Sequence, residues 1–180
     1  MTSTASKATR AVRASIESDT QHGAVVPPLH LSSNFAFAGF GEKRQYDYTR
    51  SGNPTRDALA DALCELEGVA GAVVTSSGMA ALTLLTQLLE PGDVIIAPHD
   101  CYGGTFRLFE QQSKKGLFEV RFVDQTDLEA LRAACMCGPK IILTETPSNP
   151  LLRIVDISAI ADIADRTSVV VGWGGGVGGG

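Results

Sequence analysis

DVIIAPHDCYGGTFRLFEQQSKKGLFEVRFVDQTDLEALRAACMCGPKIILT, residues 93–144, alternates short apolar runs with longer amphipathic stretches. The apolar runs lie at 93–97, 119–123 and 140–144, and each gap between them is long enough to hold a helix. Short runs that are nearly all apolar indicate strands buried on both faces of a sheet. Strands that alternate with helices predict an α/β domain with a mostly parallel sheet and helices on both faces.

The same alternation extends to both sides of this stretch. Further apolar runs predict strands at 71–75 and 168–171. Helices are predicted at 54–67, 78–89, 103–115, 127–136 and 157–165. Asn53 and Asp156 are suitable N-caps for the first and the last of these helices, and Gly68 is a suitable end for the first. Since ligands of parallel sheets bind at the carboxyl ends of the strands, the loops after the strands are where we expect a site.

The first 55 residues differ from the rest because they show little apolar periodicity. A short amphipathic helix is predicted at 7–17, and two prolines keep residues 24–37 extended. Residues 45–50, QYDYTR, are polar and aromatic. A long irregular segment of this kind is usually a linker or has a function. We therefore predict that residues 1–55 form an arm that lies on another surface.

Composition and charge restrict the class of protein. The chain has 180 residues, 44% of them hydrophobic and 19% charged, with a formal net charge of −5. These values predict one globular domain with an appended arm rather than a disordered chain. The acidic balance argues against a nucleic-acid partner. No run approaches the roughly 18 apolar residues of a membrane-spanning helix, and the first residues lack the apolar stretch of a secretory signal.

The four cysteines, Cys64, Cys101, Cys135 and Cys137, are too sparse for the disulfide framework of a small secreted protein. We predict free thiols in a reducing compartment, and hence a cytoplasmic location. Cys135 and Cys137 have no second pair at metal-binding spacing, so no metal site is expected.

Three predicted loops carry residues suited to a ligand. Ser77 and Gly78 lead from a strand into a helix, whose free N–H groups favour an anion, although the same residues are common in ordinary turns. The Tyr102 ring could stack on a flat heterocycle or cap the core. Asn149, between Ser148 and a proline, could donate to a ligand oxygen or hold an Asx turn. Together, the three loops suit one planar phosphorylated cofactor.

Four strings of sequence carry a specific resemblance. They are YDYTRSGNPTR (46–56), SSGMAA (76–81), APHDCYGGTFRLF (97–109) and TPSNPLLRIVDI (146–157). They resemble the γ-family of fold-type I pyridoxal-phosphate enzymes of transsulfuration, over about residues 8–171. The resemblance implies an N-terminal arm over 1–55 and part of a pyridoxal-phosphate-binding α/β domain over 56–171.

The resemblance also implies roles for single residues on the cofactor. Gly78 and Met79 would donate backbone N–H groups to the phosphate of pyridoxal 5′-phosphate. Tyr102 would stack on the pyridine ring and assist proton transfer. Asn149 would lie near the 3′ oxygen of the cofactor.

Two further implied contacts involve a second subunit and the substrate. Tyr48 and Arg50 would reach across a dimer interface to the phosphate of a neighbouring subunit, in a homodimer or a homotetramer. An extended segment with an arginine suits this role, because the guanidinium binds phosphate in a bidentate manner. Arg107 would bind a substrate carboxylate; the alternative is a solvated charge on a helix.

The strings most resemble the branch of the family that replaces the succinyl group of O-succinyl-L-homoserine by L-cysteine, giving cystathionine and succinate. O-acyl-homoserine sulfhydrylases and cystathionine γ-lyases share most of the same motifs and remain alternatives. An alternative of another class is a non-catalytic fragment that acts only by pairing with another subunit.

The sequence departs from the family at two functional positions. The carboxylate that pairs with the pyridinium nitrogen would follow the strand at 168–171, where the chain has Gly172-Trp173-Gly174. The Schiff-base lysine would lie in a later segment. None of the five lysines, at positions 7, 43, 114, 115 and 140, has the matching context. We therefore expect a chain truncated after about Val171, inactive by itself, with an artefactual glycine-rich tail over 172–180.

That tail formally contains the spacing of a dinucleotide-binding fingerprint at Gly174, Gly176 and Gly179. Neither the helix nor the later acidic residue that the fingerprint requires is present in the sequence. In a tract this rich in glycine the spacing arises from composition, and a nucleotide-binding function based on it is the weakest alternative.

Overall fold

The computed structural model describes residues 5–165 and 170–174. The chain divides into two compact units, Met1–Ser76 and Ser77–Gly180. The first unit contains the helices α1 (Lys7–Val12) and α2 (Pro54–Glu67). The second contains the helices α3 (Gly78–Thr86), α4 (Gly103–Lys114), α5 (Leu128–Cys135) and α6 (Ile157–Asp165), and the strands β1 (Val94–Pro98), β2 (Glu119–Val123), β3 (Ile141–Glu145) and β4 (Val170–Gly174).

The four strands form one sheet in the order β2-β1-β3-β4, and all three neighbouring pairs are parallel. The central strand β1 pairs Ile95 with Val120 on one side and with Ile141 on the other. All residues of β1 and β3 are buried. The predicted α/β class with a parallel sheet is thus confirmed.

The core lies on both faces of this sheet because successive side chains of a strand point to opposite sides. Ile95 and Ile141 face a cluster that includes Phe109 of α4, with leucines of α3 packed against it. Their neighbours Ile96 and Ile142 face a second cluster, formed with buried residues of α5 and α6. Each face of the sheet is therefore covered by two helices.

The predicted strand at 71–75 is wrong, since this segment forms no strand in the structure. Its side chains are not packed as a buried strand requires, and Val73 is 75% exposed. An apolar run becomes a strand only where a neighbouring strand supplies hydrogen-bond partners, and residues 71–75 pair with no described strand.

Two predicted helices are shorter in the structure by three residues or more. The first ends at Val12 instead of residue 17, because Ser15 and Glu17 adopt positive φ angles of 57° and 65°, which a right-handed helix cannot accommodate. Helix α3 ends at Thr86 instead of Leu89, and a turn follows that leads to Pro91.

In the first unit the predicted start of α2 is confirmed. The Asn53 side chain accepts a hydrogen bond from the Thr55 N–H at 2.9 Å, and the helix ends at Gly68 with φ 70°. The same Asn53 side chain donates to the His30 carbonyl at 3.1 Å. This bond fixes the preceding extended segment to the start of α2.

Strand β4 extends to Gly174, so the first three residues of the predicted glycine tail belong to the sheet. The predicted strand residues Ser168 and Val169, and the rest of the tail over 175–180, lie outside the described residues. Over the residues that are described, no helix has both the length and the apolar character needed to cross a membrane.

Candidate functional site

In the second unit, the carboxyl ends of β1 and β3 carry the loops that contain Tyr102 and Asn149. Glu145, the last residue of β3, connects these two loops. Its Oε2 accepts a hydrogen bond from the Tyr102 N–H and its Oε1 accepts one from the Asn149 N–H, both at 3.0 Å. One carboxylate thus fixes the backbone at two predicted site residues.

The surroundings of Glu145 explain why a charged side chain can be buried there. Glu145 is only 8% exposed, and a buried carboxylate needs hydrogen-bond donors to offset its lost hydration. Tyr102 is the N-cap of α4 and makes no capping bond with its own side chain. Because the N–H of this N-cap residue donates to Glu145, the carboxylate lies next to the start of α4, where the helix dipole favours negative charge.

A second connection joins the same loops. The Ser148 hydroxyl donates to Oδ2 of Asp100 at 2.7 Å, and Ser148 is 2% exposed. The guanidinium of Arg153 lies 3.8 Å from the same Asp100 oxygen and 3.4 Å from Oδ2 of Asp124. This arrangement compensates the charges of two carboxylates beside the loop after β3.

The Tyr102 ring lies beside Gly104 and Met79. A Cβ added at Gly104 would overlap the ring and would lie 3.0 Å from the Met79 sulfur. Helix α3, which contains Met79, therefore begins close to the loop after β1. Tyr102 is 46% exposed, so part of the residue is accessible to a ligand.

The start of α3 presents backbone donors. Ser77 is the N-cap, and its hydroxyl accepts a hydrogen bond from the Ala80 N–H at 3.1 Å. The N–H groups of Gly78 and Met79 donate to no atom of the described residues. A Cβ added at Gly78 would have no atom within 4 Å. Two donors without a partner among the described residues thus lie at the positive end of a helix dipole, which favours an anion.

Asn149 and Arg107 complete the predicted residues of this unit. The side chain of Asn149 is exposed while its backbone N–H is held by Glu145. Arg107 is an exposed residue of α4, and its Nη1 would lie 3.3 Å from a Cβ at Gly103. The guanidinium therefore folds back over the first turn of α4, toward Tyr102.

Tyr48 and Arg50 lie in the first unit. The Arg50 guanidinium carbon lies 5.0 Å from the centre of the Tyr48 ring, which is a cation–π distance. Tyr48 is 39% exposed and Arg50 is also exposed. Arg50 forms no ion pair with any residue of 5–165. The two predicted side chains therefore form one accessible cationic and aromatic pair.

Cys101 directly precedes Tyr102 but does not present a reactive thiol. Burial, and after it the negative charge of Glu145, raises the pKa of Cys101 to about 11. Since the thiolate is the nucleophilic form, this cysteine is inert near neutral pH. Within the described part of the chain, no group of three potential ligands could hold a metal ion.

The sequence interpretation did not identify Glu145 as a residue of the candidate site. Its position gave one usable signal. Burial of an acidic residue at the end of a mostly apolar strand costs free energy unless hydrogen-bond donors surround it. The identity of those partners depends on how two loops distant in sequence meet. That information is not local.

Comparisons with known proteins identify the family to which the chain belongs. The profile of the family described as Cys/Met metabolism PLP-dependent enzyme matches residues 8–172. Cystathionine gamma-synthase of Escherichia coli (strain K12) is 55% identical over 168 residues, which make up 93% of this chain and 44% of that protein. Cystathionine beta-lyase of Lactococcus lactis subsp. cremoris is 40% identical over 156 residues, 87% of this chain and 41% of that protein.

Solved structures give the same result. The crystal structure of cystathionine gamma synthase from Xanthomonas oryzae pv. oryzae in complex with cystathionine matches with a TM-score of 0.91 at 53% identity. The match covers 95% of this chain and 44% of that one, so the chain spans less than half the length of these relatives. The match over residues 8–172 shows that the chain belongs to the Cys/Met metabolism PLP-dependent enzyme family.

Proposed function

We propose that this chain forms the phosphate-binding and ring-binding part of a transsulfuration site. Membership of the family implies pyridoxal 5′-phosphate as the cofactor. The residues suit that group, because two unused N–H donors at the start of α3 match a phosphate and the exposed Tyr102 ring matches a flat heterocycle. The observation that carries the proposal is the close approach of Met79 and Tyr102 at Gly104.

In this proposal, Gly78 and Met79 hold the phosphate through their backbone N–H groups. Tyr102 stacks on the ring and holds or moves a proton at its phenolic oxygen. The exposed amide of Asn149 donates to the 3′ oxygen of the cofactor. When bound, pyridoxal 5′-phosphate supplies an electron sink for the substrate carbon atoms, and the protein supplies binding, orientation and electrostatics.

For the reaction we propose γ-replacement of O-succinyl-L-homoserine by L-cysteine, giving cystathionine and succinate. The 55% identity with the Escherichia coli cystathionine gamma-synthase supports this choice. Arg107 would bind the free carboxylate of the succinyl group, which its exposed guanidinium suits. An O-acyl-homoserine sulfhydrylase or a cystathionine γ-lyase remains the alternative within the family.

We further propose that the protein pairs with a second copy of itself through residues 1–55. Tyr48 and Arg50 then bind the phosphate held by the other copy. The cation–π contact between these side chains and the absence of an ion pair to Arg50 among the described residues support this role. Several apolar side chains of the same segment are exposed and suit an interface: Val25, Val26, Leu29, Leu31 and Phe40.

In this proposal residues 1–180 alone do not turn over substrate, because no lysine of the described part of the second unit lies at the carboxyl ends of β1 and β3. Lys114 and Lys115 are at the end of α4, away from its start at Gly103. Lys140 forms an ion pair with Asp93 at 2.6 Å, before the start of β3 and therefore at the opposite edge of the sheet. Lys43 and Lys114 pair with Asp47 and Glu110 within their own segments.

Binding of the cofactor and of its analogue pyridoxal, which lacks the phosphate, tests the proposal. We expect the chain to bind pyridoxal 5′-phosphate saturably, at least tenfold more tightly than pyridoxal, and without a covalent bond. Borohydride reduction followed by peptide mass spectrometry should then find no stoichiometric adduct. Equal affinity for the two compounds would contradict the phosphate site, and a single stoichiometric lysine adduct would contradict the inactivity of the chain.

A further inference from the structure

Glu145 differs from an ordinary buried residue because its two hydrogen bonds connect two loops of the candidate site. Its carboxylate contacts no other described side chain through a hydrogen bond, and both of its oxygens accept from backbone N–H groups. Those N–H groups belong to Tyr102 and Asn149, two residues that would contact the ring and the 3′ oxygen of the cofactor. The carboxylate is therefore placed between two contacts of one ligand.

We propose that Glu145 is a positioning residue that sets the separation and orientation of Tyr102 and Asn149 for the cofactor. This inference rests on the proposed function. Glu145 does not touch the cofactor; it acts through the backbone of the two residues that do. A carboxylate suits this task because it is acceptor-only and offers one oxygen to each loop.

The burial of Glu145 makes the arrangement rigid. The side chain is 8% exposed at the end of a fully buried strand, so its position is fixed by the core of the sheet. The hydroxyl of Ser148 donates to Asp100 and ties the same two loops together, one residue before Asn149 and two residues before Tyr102. Loss of Glu145 should therefore disturb the two ligand contacts without separating the loops.

Glu145→Gln tests the inference with the smallest change of shape. The carboxamide keeps one acceptor oxygen and turns an NH₂ group toward the second N–H, so only one loop keeps its hydrogen bond. We expect at least tenfold weaker binding of pyridoxal 5′-phosphate. Glu129→Gln makes the same chemical change on the exposed surface of α5 and should leave the affinity unchanged.

NMR signals of the methionine methyl groups report on the position of the Tyr102 ring and need no cofactor. The chain has three methionines, and the Met79 sulfur lies beside the Tyr102 ring at Gly104. In protein labelled with ¹³C at the methionine methyl groups, Glu145→Gln should shift the Met79 signal. The signal of Met136, which is 86% exposed on another part of the unit, should stay in place.

The wild-type chain supplies a measurement that does not depend on the folding of a variant. The amide hydrogen of Asn149 should exchange with solvent at least tenfold more slowly than that of the exposed residue Leu151, because Glu145 holds it. Equal exchange rates would overturn the inference. An unshifted Met79 signal in Glu145→Gln together with unchanged affinity would also overturn it.

These readouts distinguish the two claims. If the wild-type chain fails to bind pyridoxal 5′-phosphate, the proposed function fails. The amide exchange and the methyl signal, which need no cofactor, still decide whether Glu145 positions Tyr102 and Asn149.

Discussion

The ring of Tyr102 occupies the space that a side chain at residue 104 would need. A Cβ at Gly104 would overlap the Cε1 atom of the ring, and the Met79 sulfur closes the other side at 3.0 Å. Gly103, one residue earlier, has no such restriction, since a Cβ there would meet only the flexible end of Arg107 at 3.3 Å. The two adjacent glycines thus have different reasons to be present.

Gly104→Ala should displace the Tyr102 ring and weaken the binding of pyridoxal 5′-phosphate by about tenfold, the size of a lost ring contact of ~1.4 kcal/mol. Gly103→Ala is the matched control, because it adds the same methyl group to the same helix turn and should leave the affinity within about twofold. Fluorescence titration with the cofactor measures both. Equal losses in the two variants would show that the ring position is not the cause.

Cys101 should be protected from alkylation relative to Cys137. Cys101 is 8% exposed, and burial together with Glu145 raises its pKa from 9.0 to about 11, whereas Cys137 is exposed. At pH 8 iodoacetamide should modify Cys137 at least tenfold faster, as measured by peptide mass spectrometry. Rapid modification of Cys101 in the folded chain would contradict its burial beside Glu145.

The same thiol predicts a pH dependence of stability. Because the pKa of Cys101 is higher in the folded chain than in the unfolded one, the unfolded chain loses this proton first as the pH rises. Its contribution to stability should be fully present below about pH 9 and decline between pH 9 and about pH 11. Cys101→Ala should reduce this decline when unfolding by urea is compared at pH 8 and pH 10.5. An identical decline in the variant would assign it to other groups.

Asn53→Ala should destabilise the start of α2. The substitution removes the acceptor for the Thr55 N–H and the donor to the His30 carbonyl. Loss of an N-cap of this kind costs about 1–2 kcal/mol. Amide hydrogen exchange of the α2 residues measures the effect, and Asn53→Ser, which keeps an acceptor at the cap, should retain about half of the stabilisation. No change in either variant would contradict the capping role.

Arg107→Ala should reduce discrimination between acyl substrates. If Arg107 binds the distal carboxylate of O-succinyl-L-homoserine, the variant should bind this compound about tenfold more weakly and bind O-acetyl-L-homoserine unchanged. Calorimetric titration in the presence of the cofactor measures both affinities. Arg132→Ala, on the exposed surface of α5, is the control. A similar loss for both compounds would contradict a contact between Arg107 and the succinyl carboxylate.

The sequence predicted those parts of the fold that depend on local pattern. The strands at 93–97, 119–123 and 140–144 were found within one residue, because continuous apolar runs next to turn residues allow few other structures. The caps Asn53 and Asp156 were found because each bonds to its own first helical turn. The strand prediction at 71–75 was wrong because a strand also needs a neighbouring strand, which is remote in sequence and which no local pattern reveals.

For the site, the sequence located the loops but not their connection. Tyr102 and Asn149 are exposed residues in loops after neighbouring strands, which general rules for parallel sheets identify. Their common partner Glu145 depends on the pairing of β1 with β3 and on the direction of two backbone N–H groups. No local pattern contains that information.

The most direct test of the account is the binding of pyridoxal 5′-phosphate to Gly78→Pro, with Gly78→Ala as control. Proline at the first position of a helix is well tolerated, and Ser77 already has the extended backbone that must precede it, with φ −161° and ψ 159°. A Cβ at this position meets no atom within 4 Å, so the proline variant removes one N–H donor and disturbs little else. The account predicts that Gly78→Pro binds the cofactor about tenfold more weakly than Gly78→Ala, whereas both bind pyridoxal alike. Equal affinity of the two variants for pyridoxal 5′-phosphate would contradict the claim that the start of α3 holds its phosphate.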